Sequence, residues 1–133
     1  MLAENRKYSY EEFLEITKNI ERAELIDGEI ILQATPTAQH QSIVRNIASE
    51  FRNALKNKPC RPYIAPFDII FESQTEDTNR VQPDISIICN QNLSAENEYR
   101  GAPTIIVEVV SPSNASDDYI KKLNLYMRFG IMK

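Results

Sequence analysis

Two carboxylates stand out because their neighbours are apolar. Glu108 lies inside Thr104-Ile-Ile-Val-Glu-Val-Val110, a run whose other six residues are β-branched or apolar and suit a strand buried on both faces. A carboxylate left unpaired there would cost several kcal/mol, so it must be protonated, paired or bound to a cation. Asp84 has a similar setting, opening Asp84-Ile-Ser-Ile-Ile-Cys89 directly after Pro83. Two such acids on adjacent strands can hold Mg²⁺ or Mn²⁺, which prefer oxygen ligands and keep several waters. The backbone carbonyl of Val109 can add a third oxygen. A cation held this way can activate water and stabilise charge on a phosphate, and a nearby lysine would orient that water. Lys122 suits that part because it starts from the helix directly after the Glu108 strand, with Lys121 as runner-up. A plainer reading stays open, in which Glu108 only pairs with a cation and the lysines pair with Asp117 or Asp118.

The elements that must position these residues follow from the sequence pattern. Ser9 and Glu12 form a capping box, with Tyr8 and Phe13 as a hydrophobic staple, and predict a helix from Tyr10 to about Asn19. Asp27-Gly28 between short apolar runs predicts a two-residue hairpin turn. In that register Ile26 faces Glu29 and Glu24 faces Ile31. Glu24 and Glu29 then share a side of the ribbon, and Glu29 can join an acidic site if that side turns inward. A helix is expected from about Ala38 to Asn57, with Ile43, Ile47, Phe51 and Leu55, and Val44 and Ala48 beside them, as its core-facing stripe. Arg45, Arg52 and Lys56 fall on another line, which is either a solvated face or a track for phosphates. His40, the only histidine, sits near the start of that helix and is either structural or in touch with substrate.

Tyr63–Ala65 and Phe67–Phe71 read as a strand broken at Pro66, and Val81–Cys89 as the next strand. Residues Glu72–Arg80 and Asn90–Ala102 read as polar loops. Ser111–Asn114 is a turn before a helix from about Ser116 to Phe129, with Ile120, Leu123 and Met127 as its apolar side and Gly130 ending it. Asp118, Lys122 and Tyr126 are spaced by four and line another side. The order predicts one α+β domain, residues 1–133, built on a mixed sheet flanked by helices.

Composition narrows the classes. An apolar share of 42% and a charged share of 26% are those of an ordinary globular chain. No apolar run is long enough to cross a membrane, and the first residues lack the order of a signal peptide, so a cytosolic protein is expected. Cys60 and Cys89 are far apart and form no C-x-x-C pair, so two reduced thiols are expected, Cys89 in the core. A net charge of −4 excludes bulk attraction to polyanions, although Arg45, Arg52, Lys56, Lys58 and Arg61 stand against Glu50 alone between His40 and Arg61.

Pro83-Asp84 followed by Glu108-Val-Val110 resembles the PD-(D/E)XK nuclease pattern. Val110 stands at the usual lysine position; some members move the lysine to the following helix, and Lys122 fits that move. The resemblance sharpens over Glu24-Leu-Ile-Asp-Gly-Glu-Ile30, Gln39-His-Gln41, Val81-Gln-Pro-Asp84, Gly101-Ala-Pro103, Val107-Glu-Val-Val-Ser-Pro-Ser113 and Asp118-(x₃)-Lys122-(x₃)-Tyr126. In that order they are similar to the Uma-type putative restriction endonuclease family. The resemblance implies a restriction-endonuclease-like fold and cleavage of DNA phosphodiesters with Mg²⁺ or Mn²⁺. It implies that Asp84, Glu108 and the Val109 carbonyl hold the metal and that Lys122 takes the lysine role. Glu29 or Glu24 would complete the acidic site and His40 would line it. The family usually continues with a further core strand beside the Glu108 strand, and since the sequence stops at Lys133 before it, a shortened member or part of a split gene is expected. The expectation is an open strand edge, covered by a second copy or a complementing chain. The rival reading is a nuclease-fold binding or interaction module without turnover.

Overall fold

The computed structural model describes residues 6–90, 96–110 and 116–131, and the side chains of 116 and 117 are outside that description. The first helix, α1 (Tyr10–Ile16), is capped as its sequence dictates. Ser9 Oγ accepts from the Glu12 N–H at 3.1 Å and the Ser9 N–H donates to Glu12 Oε1 at 3.0 Å. It ends before Asn19, at Thr17, whose hydroxyl and N–H both donate to the Phe13 carbonyl. Phe13 and Tyr8 pack on Ala23 and Leu25. Strands β1 (Ala23–Ile26) and β2 (Glu29–Leu32) form the hairpin in the expected register, Glu24 opposite Ile31 and Ile26 opposite Glu29. Asp27 and Gly28 both have positive φ, 49° and 82°, the turn that matches strand twist.

Helix α2 (Ala38–Ala54) starts at Thr37, whose Oγ1 accepts from the His40 N–H. Its core line is Val44 and Ala48, packed on Ile85, Ile87 and Val109. Ile47, Phe51 and Leu55 flank that line, so the expected stripe is centred on Val44 and Ala48, and only Ile43 falls outside it, exposed.

The remaining strands are β3 (Arg61–Ile64), β4 (Asp68–Phe71), β5 (Asn79–Val81), β6 (Ile85–Ile88), β7 (Glu98–Arg100) and β8 (Ile105–Val107). Helix α3 (Ser116–Arg128) follows. A five-stranded mixed sheet has the order β2-β1-β5-β4-β7, with β4 and β7 parallel; a three-stranded antiparallel sheet has the order β3-β6-β8. The three helices and the mixed sheet make this an α+β fold. Two of the expected single strands are each divided between the sheets. The chain leaves the smaller sheet after Ile64, at the Ala65-Pro66 cis peptide, and enters the larger one at Asp68. It returns between Val81 and Ile85, at Pro83, which has no N–H to offer a ladder. Asp84 therefore sits at the crossing rather than within a strand. Residues expected as loops supply β5 and β7.

Two further expectations are corrected. Arg61 pairs with Ile88 across β3 and β6, which sets Cys60 opposite Cys89, and the two are joined as a disulfide rather than held as reduced thiols. Helix α3 turns the other way round. Leu125 and Tyr126 are buried against Ile26, Phe71 and Val81, whereas Ile120, Leu123 and Met127 are exposed. The number of apolar residues on a helix face did not decide its orientation; the large residues of the Lys122–Tyr126 side did. Gly130, φ 85°, closes α3, with the Ile131 N–H returning to the Tyr126 carbonyl. The strand at Glu108 is shorter and less covered than expected, with Ile105 and Val110 exposed. The turn over Ser111–Asn114 lies outside the described residues. Among the described residues no helix is long and apolar enough to cross a membrane.

Candidate active site

The antiparallel register of β6 and β8 pairs Ile85 with Val107, which sets Asp84 beside Glu108 at the ends of the two strands. The contact is reciprocal. The Asp84 N–H donates to Glu108 Oε1 at 3.2 Å, and the Val109 N–H donates to Asp84 Oδ2 at 2.6 Å. His40 Nε2, from the first turn of α2, lies 3.3 Å from the same Oδ2, and both side chains are largely buried. Asp84 Oδ1 has no protein partner among the described residues.

Lys122 closes the site from α3. Its Nζ is 2.6 Å from Glu108 Oε2 and 2.8 Å from Glu24 Oε2, in a setting where Glu24 is 1% exposed. One helical turn on, the Tyr126 hydroxyl donates to Glu108 Oε2 at 2.6 Å. Glu24 is held by its own donors: Gln33 Nε2 to Oε1 and the Gln82 N–H to Oε2, both at 2.7 Å. The Gln82 side chain is fixed in turn, accepting from Arg22 Nε and donating to Asp68 Oδ1 and to the Glu21 carbonyl.

Burial and charge pull in opposite directions here. Burial presses the Lys122 ammonium down, but the Glu108 and Glu24 carboxylates raise it further, so its pKa ends above the usual lysine range. Burial, with Glu24 adding to it, raises the Glu108 carboxyl against the pull of Lys122 and Tyr126. Burial, together with Glu108 and Glu24, also raises the Tyr126 hydroxyl well above its ordinary value, so it stays a donor. Glu24, Asp84 and Glu108 set three carboxyl groups against the one ammonium of Lys122. With all three ionised, two negative charges are left, which one divalent cation would balance.

A cavity of about 170 Å³ opens onto this cluster, bounded among others by Gln33, Pro36, His40, Asp84, Glu108 and Lys122. Its lining offers hard oxygens from Asp84, whose Oδ1 is free, and Glu108; the Val109 carbonyl, beside but not in that lining, accepts from the Tyr119 hydroxyl at 3.1 Å. Among the described residues no three His, Cys, Asp or Glu side chains come together as a metal cluster. Two carboxylates suit a cation that keeps most of its waters, as Mg²⁺ does, and do not suit zinc.

The structure thus brings Asp84, Glu108, Val109, Lys122 and His40 together. Glu29 does not join them. It lies at the turn end of the hairpin, ion-paired with Lys7 at 3.2 Å and Lys121 at 2.6 Å, and Glu24 two residues inside β1 takes the inward place. Lys121 is thereby also outside the cluster. Lys122 pairs with Glu24 and Glu108, not with Asp118, which lines the cavity. The anchoring parts of Gln33 and Gln82 carried no signal in the sequence beyond Gln82 standing in Val81-Gln-Pro-Asp84.

Comparison with known proteins gives consistent relatives. The family model described as Uma2, putative restriction endonuclease, matches residues 10–132. The uncharacterized protein slr1290 of Synechocystis sp. (strain ATCC 27184 / PCC 6803 / Kazusa) is 28% identical over 121 residues, covering 90% of this chain and 62% of the relative. The chain therefore spans less than two thirds of that protein's length. The crystal structure of a putative nuclease belonging to DUF820 from Anabaena variabilis ATCC 29413 superposes with a TM-score of 0.75 at 22% identity, over 92% of this chain and 69% of that one. At that identity the likeness concerns the fold.

Proposed function

This chain belongs to the Uma2 family of putative restriction endonucleases, and from that premise we propose that it hydrolyses phosphodiester bonds in DNA with Mg²⁺ or Mn²⁺ held by Asp84 and Glu108. The observation that carries the reading is the pair of backbone N–H bonds that sets these two carboxylates side by side, with the Lys122 ammonium on one of them. Asp84, Glu108 and the Val109 carbonyl would hold the metal. When bound, it supplies Lewis-acid stabilisation of the phosphate and lowers the pKa of a bound water. Lys122, kept charged by its carboxylate neighbours, is placed to orient the attacking water and to offset charge that builds on the phosphoryl oxygens. Tyr126 holds Glu108 Oε2 in place and Glu24 holds Lys122, so each is a positioning residue. His40, with Nε2 on Asp84, orients that carboxylate and faces the cavity a phosphate would enter.

The test is nicking of supercoiled plasmid with Mn²⁺ or Mg²⁺. The wild-type chain nicks, chelation stops it, and Glu108→Ala abolishes it with the fold intact. No nicking by a folded chain that binds Mn²⁺ would move the assignment to a nuclease-fold binding module. One observation favours that second reading: Lys122 and Tyr126 already satisfy Glu108 Oε2 without a metal. Partner coverage belongs to the same proposal. Among the described residues β8 pairs only with β6, and Ile105 and Val110 beside its open edge are exposed. A strand from a second copy or a complementing chain would cover that edge, and sedimentation across a concentration series reads it out; a monomer throughout counts against a second copy.

A further inference from the structure

A second, wider cavity adjoins the acidic one and serves none of the chemistry above. It is a groove of about 430 Å³ between α2 and β3, which is an edge strand of its sheet, and it meets the acidic cavity at Pro36, His40 and Asp84. Its floor is apolar: Val44 and Ala48 from α2, Pro62 and Ile64 from β3, with Ile64 49% exposed. Its rim carries Arg45 and Arg52, both exposed, two helical turns or about 10 Å apart along the axis. Neither guanidinium has a carboxylate partner among the described residues, and the only acid lining the groove is Asp84 at its junction with the site. On a chain of net charge −4, an apolar trough edged by two unpaired cations and leading to a phosphate-handling cluster is a local exception.

These features fit one kind of occupant. A continuous duplex presents phosphates outward and keeps its base faces stacked inside, so it could meet the arginines but not the apolar floor. An unpaired nucleotide offers both a phosphate for Arg45 or Arg52 and a bare base face for the floor, and a guanidinium plane can itself stack on a base. The volume lies in the range of small-ligand sites and is ample for a nucleotide. Resting on the nuclease reading, we propose that the groove between α2 and β3 takes an unpaired nucleotide next to the scissile phosphate. DNA with a single-stranded tail or flap is then favoured as substrate over a continuous duplex.

The test is fluorescence anisotropy, in EDTA, with two labelled probes of equal length: a blunt duplex and a duplex with a single-stranded tail. Binding without metal separates this proposal from turnover. The wild-type chain should prefer the tailed probe by about ten-fold, a difference of ~1.4 kcal/mol. Arg45→Gln with Arg52→Gln should remove that preference and make the salt dependence shallower by roughly 1.4 in log–log slope, at about 0.7 for each phosphate no longer neutralised. Ile64→Glu, a change at a half-exposed position, should remove the preference without touching either arginine. Lys56→Gln, outside the groove lining, should leave it in place. Equal affinity for the two probes, no affinity for either, or equal losses with Lys56→Gln would overturn the proposal. So would sedimentation showing the groove closed by a second copy, with Ile64→Glu restoring the monomer. Nicking of plasmid with the preference absent would leave the function standing and remove only this inference; the preference without nicking would do the reverse.

Discussion

Replacing Lys122 with methionine keeps the length of the side chain and removes its charge. The ammonium it deletes lies 2.6 Å from Glu108 and 2.8 Å from Glu24, with the lysine and Glu24 side chains almost fully buried. Removing one partner of a buried ion pair is destabilising by about 3–5 kcal/mol, because a buried charge is left uncompensated. Here two carboxylates lose one cation. Glu108 keeps the Tyr126 hydroxyl and the Asp84 N–H, and Glu24 keeps Gln33 and the Gln82 N–H, so the lower end, about 3 kcal/mol, is expected. For 133 residues, total stability of about 7–20 kcal/mol leaves the variant folded, with Tm lower by roughly 10–15 °C.

The pH dependence has a definite sign. In the wild type the raised Lys122 contributes stability that is fully present below the unfolded lysine value of about 10.4 and is lost only as pH rises through its folded value. Acidification from neutrality therefore leaves that contribution intact. In the variant a proton is the cheapest substitute for the missing cation. Its deficit should narrow as pH falls from 7 towards the unfolded carboxylate value of about 4.3, where the folded state binds protons more tightly than the unfolded chain. Urea unfolding followed by circular dichroism at pH 7 and at pH 5 reads both effects. Adding Glu24→Gln to Lys122→Met should recover part of the loss at pH 7. A deficit below about 1 kcal/mol at pH 7, or one that does not change with pH, would refute the reasoning.

Tyr126→Phe removes a hydroxyl that donates to a buried carboxylate, and a loss of about 1.5–3 kcal/mol is expected in urea unfolding, with metal binding weakened because Glu108 is less firmly held. The Cys60–Cys89 bridge should keep the unfolded, unreduced chain from taking up an alkylating reagent, and reduction should open two sites by mass. Cys60→Ser with Cys89→Ser should lower stability by roughly 3.5 kcal/mol, the loop-closure value for a separation of 29 residues.

Much of the site was legible because the signals were local. An Asp-Gly turn fixed the hairpin register and thereby the facing of Glu24. A lone acid in an apolar run and another beside a proline marked Glu108 and Asp84, and the four-residue spacing of Lys122 and Tyr126 placed them on one side of α3. What was not legible depended on long-range pairing. Strand patterns cannot say that the chain changes sheet at Pro66 and Pro83, because both halves look like one apolar run. Without the β3–β6 register, nothing brings Cys60 to Cys89. Glu24 and Glu29 share a side of one ribbon, and only the packing of α3 against β1 decides that Glu24 is the one taken inward. The same packing overrode the apolar pattern that pointed to Ile120, Leu123 and Met127.

The central claim is that Asp84 and Glu108 form a divalent-cation site. Calorimetric titration of Mn²⁺ into the wild-type chain and into Asp84→Ala with Glu108→Ala, each checked for folding by circular dichroism, tests it most directly. Heat of binding to one site in the wild type and none in the double variant is the expected result. Equal binding, or no binding, in two folded proteins would contradict the account and leave the two carboxylates as structural partners of Lys122, Val109 and Tyr126.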